Sequence, residues 1–404
     1  MSTATQPEIV LDLSRLLSRV LHPTPTGVDR CEMAYARGLL ASVPERLSFA
    51  AVHPFGIYGR LPRLRVERFL DATEARWEHG DACSTGELRL RAARRLTALC
   101  PRSIATGGEG TRVYVQASPN NLTRPQLVRS ILRRERARFV CLLHDLIPLQ
   151  YPEYARPKGA ALHLKRVETI IALADGIVAN SHATLDALRP FLAHTQRRPV
   201  TAVAHLGAER RTVAYRQQSG EPRPYFVCIG TIEPRKNHLL LLNLWRQMAQ
   251  EHGAAACPRL LVIGRRGWEN EQVVDMLERC PALVGCVEEL NHLPDREVQA
   301  LLAGSCALLL PSFAEGYGMP VTEAIALGVP VICSDLPALR EAGGDMPTYL
   351  NPLDGLAWLA AIRDHAVSGK LADVDGLHRR DGYAAPTWKD HLATLLDLVQ
   401  RVAP

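Results

Sequence analysis

Along the chain, short runs rich in Val, Ile and Leu alternate with longer segments whose apolar positions recur every three to four residues. The short runs are apolar throughout and do not alternate with polar residues. That is the pattern of strands buried on both faces of a parallel sheet. In the first half the predicted strands are residues 9–13, 47–52, 113–116, 139–143, 176–180 and 200–204, with helices notably over 30–40, 157–173 and 183–189. A polar stretch, 207–224, then breaks the alternation with Arg210-Arg211, Gln217-Gln218-Ser219-Gly220 and Pro222-Arg223-Pro224, and reads as a linker. The alternation restarts with strands over 225–230, 260–263, 284–287, 307–310 and 329–333, separated by helices over 238–250, 268–280, 295–303 and 320–327.

This order predicts an α/β protein of two Rossmann-like domains, 1–206 and 225–386, followed by a last helix within 387–404 with Trp388 near its start. Open parallel sheets bind ligands beyond the carboxyl ends of their strands, so two such domains are expected to face each other across a cleft.

The composition narrows the class. With 404 residues and 47% hydrophobic residues the chain can bury two cores and is neither disordered nor fibrous. No apolar run is long enough to span a bilayer, and the residues from Met1 to Glu8 lack the basic and apolar regions of a signal peptide, which places the protein in the cytoplasm. The ten cysteines include no C-x-x-C pair, and several lie in apolar runs, as Cys141 does in 139–143. They read as small buried hydrophobes, not zinc ligands or disulfides.

The net charge of +6 conceals an asymmetry. Residues 1–216 carry 30 Arg and 2 Lys against 19 acids, while the remainder carries 13 Arg and 3 Lys against 23 acids. A basic first half points to an anionic partner. No recognisable nucleic-acid module or aromatic interleaving accompanies it, so nucleic acid is not expected. Much of the excess lies in 129–136 and in 87–96, where Leu88, Ala92, Leu96 and Leu99 recur at helical spacing and arginines border the apolar face. Two readings stand: an ordinary surface helix, or a helix lying on the anionic inner face of the membrane, which would make the protein peripheral there.

The richest segment for chemistry is 311–324, Pro-Ser-Phe-Ala-Glu-Gly-Tyr-Gly-Met-Pro-Val-Thr-Glu-Ala, which follows a buried strand and opens a helix. Gly316, Gly318 and Pro320 leave backbone N–H groups bare at a helix start, where the dipole favours an anion such as a diphosphate. Glu315 would lie in the loop and Glu323 about one turn inside the helix, two carboxylates suited to sugar hydroxyls.

Glu315 and Glu323, separated by seven residues and followed by Gly328-Val329-Pro330-Val331, resemble the E-x7-E signature of glycosyltransferase family 4, whose members are retaining enzymes of the GT-B fold. The resemblance covers 225–335 almost continuously, with the regions of Gly27, His144 and 175–185 in the first half. It implies that Glu315 contacts the donor sugar and Glu323 the ribose, with Gly316, Tyr317, Gly318 and Met319 around the donor. Gly230-Thr231-Ile232-Glu233-Pro234-Arg235-Lys236 stands where the family carries the Arg and Lys that neutralise the donor diphosphate. Gly264, at a strand end, offers a close backbone approach to the donor.

His144 closes the strand 139–143 and can donate a hydrogen bond to a sugar hydroxyl or help orient the reacting centre; a lone histidine is as often structural, and the family's placing of a His at this strand end implies the functional role. Thr26-Gly27-Val28-Asp29-Arg30 resembles the family's glycine loop, with one glycine where many relatives have two, and Gly27 would expose N–H groups to phosphate. Asn180-Ser181 reads chiefly as a helix cap. The one D-x-D, Asp373-Val374-Asp375, follows no apolar strand and reads as a surface loop.

Arg235 and Lys236 would then do the work of a metal, so no cofactor or metal is expected beyond the nucleotide-sugar donor. The run 144–154 resembles bacterial mannosyltransferases of polysaccharide and lipopolysaccharide assembly, which implies GDP-mannose first and a UDP-hexose second. The basic half implies a lipid-linked or oligosaccharide acceptor, with 1–206 binding the acceptor, 225–386 the donor, and the last helix packing back on the N-terminal domain. A nucleotide-sugar epimerase and a catalytically silent subunit of an assembly complex remain as alternatives.

Overall fold

The structure, a computed structural model, describes residues 6–80, 85–102, 111–208, 223–368 and 384–403. These form two compact units. The first holds 1–150, 158–206 and 387–404, and the second holds 151–157 and 207–386. The short segment 151–157, expected in the first domain, thus clusters with the second. The expected linker, apart from its two residues at each end, and the Asp373-Val374-Asp375 loop lie outside the described residues.

In the first unit seven strands, β1 (Glu8–Asp12), β2 (Leu47–Val52), β3 (Tyr58–Leu61), β4 (Arg112–Gln116), β5 (Ala137–Leu143), β6 (Gly176–Ala179) and β7 (Val200–Val203), form one sheet in the order β3-β2-β1-β4-β5-β6-β7. All neighbours are parallel except β2 and β3. The connecting helices are α1 (Ser14–Ser18), α2 (Gly27–Ser42), α3 (Arg63–His79), α4 (Thr85–Ala98), α5 (Pro125–Glu135), α6 (Ile147–Gln150), α7 (Gly159–Leu173) and α8 (His182–Ala193). In the second unit β8 (Tyr225–Ile229), β9 (Arg259–Ile263), β10 (Val287–Leu290), β11 (Leu308–Leu310), β12 (Val331–Ser334) and β13 (Thr348–Leu350) are all parallel, in the order β10-β9-β8-β11-β12-β13. Its helices are α9 (His238–His252), α10 (Glu271–Arg279), α11 (Asp295–Ala303), α12 (Met319–Ala326), α13 (Pro337–Gly343) and α14 (Gly355–Ser368).

The last helix, α15 (Trp388–Val402), belongs to the first unit, where it packs on β6, β7 and α2. Thr387 caps it by accepting from the Asp390 N–H at 3.2 Å. Its buried positions, His391, Leu392, Leu395, Leu398 and Val399, recur at helical spacing. A Cβ at Gly38 of α2 would sit 1.9 Å from Leu392 Cδ1, so a larger residue there would have to displace the Leu392 side chain. His391 donates from Nδ1 to the His205 carbonyl at 3.1 Å and accepts from the Tyr35 hydroxyl at Nε2 at 2.7 Å.

Three strand expectations change, one of them the unexpected edge strand β13, a three-residue strand with no buried position. The strand expected at 284–287 runs instead over Val287–Leu290. Pro281 opens a 3₁₀ turn, Gly285 takes φ +78° and Val284 is 74% exposed, so the chain enters the sheet three residues later. β3 was not expected: its Tyr-Gly-Arg-Leu sequence carries no apolar run, and Arg60 is held by Glu135 and Glu8.

Candidate functional site

In each sheet the chain reverses direction of growth at one point, between β1 and β4 in the first and between β8 and β11 in the second. Connections leave such a pair of strands in opposite directions, which opens a crevice beyond their carboxyl ends. The two motif blocks of the second unit are the loops that follow β8 and β11.

Gly230 ends β8 with φ +151°, its N–H bonded to the Ile263 carbonyl at 2.9 Å, and the Lys236 stem lies over it. The chain then makes a 3₁₀ turn at Pro234–Lys236, and Asn237 adopts the left-handed conformation at φ +52° before α9. This turn aims Arg235 and Lys236 at the loop after β11. Arg235 donates to Glu315 Oε2 at 2.8 Å, to the Ala314 carbonyl at 2.6 Å and to Glu233 Oε1 at 2.9 Å. Lys236 Nζ donates to Glu315 Oε1 at 2.5 Å, and the Ser312 hydroxyl donates to the same oxygen at 2.7 Å. A backbone bond from the Phe313 N–H to the Arg235 carbonyl at 2.8 Å ties the loops together.

The cluster contains two cations and two carboxylates, all largely buried. Burial alone would raise the Glu315 pKa, but the charges of Arg235 and Lys236 and the bonds from Lys236 and Ser312 outweigh it and hold the carboxyl at about 2. Glu315 is therefore an anion at any working pH, with both oxygens engaged. The expectation that Arg235 and Lys236 stand ready for a diphosphate is refined: each is held in place by Glu315, and Arg235 also by Glu233. Neither Glu233 nor Ser312 was singled out from the sequence; the only signal was an acid two residues before Arg235.

The remaining predicted residues of this unit fall around the same loops. Gly264 closes β9; a Cβ there would sit 1.8 Å from the Gly230 carbonyl oxygen, so its glycine serves the packing of the two strand ends. Gly318 caps α12 with φ +110°, where a Cβ would meet Leu339 Cδ2 at 2.5 Å. Gly316 and the buried Tyr317 lie in the loop between Glu315 and this cap, Met319 opens the helix, and the half-buried Glu323 lies one turn in. Beside Glu315, the Phe313 ring stacks on Tyr154 at 5.8 Å and 8°, the Tyr154 carbonyl accepts from Trp268 Nε1 at 3.0 Å, and the Arg156 guanidinium lies 4.6 Å over the Trp268 ring. This accounts for the membership of 151–157 in the second unit.

His238 opens α9 next to Lys236. It is 2% exposed, and neither ring nitrogen has a hydrogen-bond partner among the described residues. Burial first, and the charge of Lys236 second, push its pKa down to about 4, so it is neutral.

His144 and Gly27 belong to the first unit. His144 follows β5, and its Nε2 lies 2.8 Å from the Ala117 carbonyl, so that nitrogen carries the proton. With Nε2 occupied by Ala117, the ring nitrogen left for a ligand is Nδ1, which in the neutral ring accepts. Asn180 Nδ2 donates to the His144 carbonyl at 2.8 Å and so positions the residue, while Ser181 caps α8 by accepting from the Thr184 N–H at 3.0 Å.

Gly27 is not in a loop. It is the first residue of α2, after a capping box in which Thr26 accepts from the Asp29 N–H and Asp29 accepts from the Thr26 N–H. Asp29 is held by Arg15 at 2.6 Å and Arg19 at 2.8 Å. The helix thus starts three residues before the expected boundary, and Gly27 contributes an N–H at its positive end.

Near the β1 end, Asp12 accepts from Ser14 and Tyr114. The fully buried Glu32 accepts from the Leu16 N–H at 3.0 Å, while its Oε2 has no partner among the described residues. Burial and the neighbouring Asp12 push the Glu32 pKa up to about 8.

Among the described residues no group of three or more His, Cys, Asp or Glu side chains converges as a metal site would, and no helix is long and apolar enough to cross a membrane.

Two largely parallel sheets, each flanked by helices, with a C-terminal helix on the first unit, define the GT-B fold. The fold agrees with that of a solved structure described as trehalose-6-phosphate from E. coli bound with UDP-2-fluoro glucose: TM-score 0.60, 13% identity, 98% of this chain and 99% of that one. Residues 223–365 match the family described as Glycosyl transferases group 1, so the second unit carries a glycosyl transferases group 1 domain. The chain is 36% identical over 130 residues to the O-antigen chain mannosyltransferase B of Escherichia coli, which covers 32% of this chain and 33% of that protein. It is 26% identical over 311 residues to the serotype-specific mannosyltransferase WbdA of Escherichia coli, covering 69% of this chain and 36% of that protein. It thus spans about a third of the length of these two curated relatives.

Proposed function

We propose that the protein is a retaining glycosyltransferase that moves a hexose from a nucleotide diphosphate sugar to a hydroxyl of a lipid-linked or polysaccharide acceptor in cell-envelope glycan synthesis. The observation that carries this is the convergence of Arg235, Lys236 and Glu315 at the switch point of the second sheet, with the start of α12 following in the same loop. The names of the O-antigen mannosyltransferase relatives support mannose as the sugar, and GDP-mannose is the donor assigned first, ahead of a UDP-hexose.

In this reading the diphosphate takes up the Arg235 fork and the Lys236 ammonium, assisted by the positive end of α12. These fixed cations stabilise the charge that develops as the nucleotide leaves, so no metal is needed. Glu315 and Glu323 accept hydrogen bonds from sugar and ribose hydroxyls. The acceptor oxygen bonds to the anomeric carbon on the face from which the diphosphate departs, and its proton passes to a leaving phosphate oxygen. The first unit would bind the acceptor, with His144 accepting from a hydroxyl near the reacting centre.

The test is a thermal-shift and hydrolysis screen of GDP-mannose, UDP-glucose, UDP-GlcNAc, GDP and UDP, with and without EDTA, on wild type and Glu323→Ala. Stabilisation by GDP-mannose and GDP, lost in the variant and indifferent to EDTA, is expected. Stabilisation by the UDP compounds alone would replace the donor, and no response to any of them would overturn the reading.

A further inference from the structure

Aromatic rings left part-exposed on a folded protein are informative when they gather beside a polar site. In the second unit, Tyr151, 40% exposed, and the half-buried Tyr154 come from the segment 151–157, Phe313 from the loop after β11 and Trp268 from the loop after β9. The Tyr151 and Tyr154 rings lie 6.0 Å apart at 30°, and the other neighbour of Tyr154 is Phe313, stacked on it at 5.8 Å. Phe313 stands just before Ala314 and Glu315. The three rings therefore make a ladder that starts at the Glu315 loop and ends on an exposed ring.

The ladder is held in place. Pro152 opens a 3₁₀ turn in which the Tyr154 N–H donates to the Tyr151 carbonyl at 3.1 Å. Trp268 holds the Tyr154 carbonyl, Arg156 covers the Trp268 ring, and the Phe313 N–H is bonded to the Arg235 carbonyl. Rings fixed in this way lose little freedom when a ligand arrives. The oxygens around them are not engaged: among the described residues neither tyrosine hydroxyl has a hydrogen-bond partner, and the exposed Glu153 carboxylate makes no hydrogen bond or ion pair.

Core packing does not call for this arrangement, since rings that serve the core of the same unit, such as Phe226 and Trp245, are fully covered. A flat apolar surface flanked by free hydroxyl and carboxylate oxygens suits a sugar ring. Its C–H face lies on the negative face of an aromatic ring, while its edge hydroxyls hydrogen-bond to the oxygens alongside. A lipid chain would leave those oxygens without partners, and a phosphate would meet the charge of Glu153.

We propose that Tyr151 and Tyr154 form a stacking subsite for an oligosaccharide acceptor, in which a ring behind the sugar that receives the transferred hexose lies flat on Tyr151. The spacing gives this register. Glu315 is assigned to the donor sugar, and the ring-to-ring steps of 5.8 and 6.0 Å from Phe313 to Tyr151 are each comparable to the length of one hexose. The proposal rests on the transfer reading and deepens it: the receiving hydroxyl is left to the first unit, and the stretch of glycan behind it is held by this ladder.

The experiment titrates methyl α-mannoside and linear α-mannotriose against the full chain by saturation-transfer NMR, with whichever of GDP and UDP stabilises the protein present. Wild type, Tyr151→Ala and Tyr151→Phe are compared. The trisaccharide should bind wild type roughly tenfold tighter than the monosaccharide. Tyr151→Ala should remove that advantage with methyl α-mannoside unaffected, and Tyr151→Phe, which keeps the ring, should retain most of it. Tyr151 is exposed, so both variants should melt like wild type. A wild type that stabilises with nucleotide but binds the trisaccharide no tighter than the monosaccharide overturns this proposal alone, as does an advantage that survives in Tyr151→Ala. A wild type that responds to no nucleotide overturns the transfer reading and this proposal with it.

Discussion

Lys236 and Glu315, 79 positions apart, meet at 2.5 Å because β8 and β11 are neighbours at the point where the second sheet reverses its order. The contact links the two motif blocks into one electrostatic unit. With Arg235 on its other oxygen, Glu315 is the pin of the cluster.

Removing that pin strands two buried cations. Glu315→Ala is expected to destabilise the second unit by about 3 kcal/mol, the usual cost of breaking a buried ion pair from one side. Urea denaturation followed by fluorescence of Trp245, which is buried in that unit's core, measures it. A loss within experimental error would mean that the cluster is not closed in solution.

The same residue sets an acid limit. Its folded pKa of about 2 lies below the ordinary carboxylate value of 4.5, so its contribution to stability is complete above pH 4.5 and is lost as pH falls from there towards 2. Wild type should lose stability over that window, and Glu315→Gln should show a flatter curve there.

Much of this site was legible in the sequence. Arg235, Lys236, Glu315 and Glu323 stood out because they lie in, or one turn beyond, glycine-containing segments that join a buried strand to a helix and match the motifs of the resemblance. Their pairing was not legible, since it depends on which strands become neighbours. Glu233 and Ser312 were missed for the same reason: their partners are set by the turn at Pro234 and by the loop after β11. Local stereochemistry explains the other differences. Thr26 and Asp29 make a capping box, which moves the start of α2 forward to Gly27, and the left-handed Gly285 delays β10. β3 depends on Arg60 reaching Glu135, 75 residues away.

Glu32 predicts the opposite pH behaviour in the first unit. Its folded pKa of about 8 lies above the unfolded 4.5, so the folded state holds a proton that the unfolded chain releases. Stability falls as pH rises from 4.5 to 8 and levels off beyond. Glu32→Gln keeps the shape without the charge, and should raise stability by ~2 to 4 kcal/mol at pH 8 and little at pH 4.5. Chemical denaturation of both proteins at the two pH values decides it; equal gains at both would refute the protonated carboxyl.

Gly264→Ala tests whether that glycine serves the scaffold. Its Cβ would press on the Gly230 carbonyl, and the Lys236 stem lies over Gly230, so displacement should reach the site. The variant should lose at least ~2 kcal/mol of stability, in the range of overpacking, and bind nucleotide more weakly. A variant that melts like wild type yet fails to bind would return Gly264 to the role of direct backbone donor-binding.

His144 offers the sharpest functional test in the first unit. Burial is the main influence on its ring and outweighs the Ala117 carbonyl and Asp145, so its pKa lies below 6.5 and the ring is neutral at pH 7. With Nε2–H held by Ala117, Nδ1 can accept from a hydroxyl but cannot donate until the ring is protonated. Activity should therefore be flat with pH above 6.5 and fall on the acid side as the acceptor nitrogen is lost. His144→Ala should lower kcat by about tenfold to a hundredfold, the worth of one hydrogen bond made at the reacting centre, and should remove the acid limb due to this residue. Measuring kcat and KM across pH for both proteins separates this from a structural role: a histidine that only braces the Ala117 backbone would lower stability and leave the shape of the pH profile unchanged.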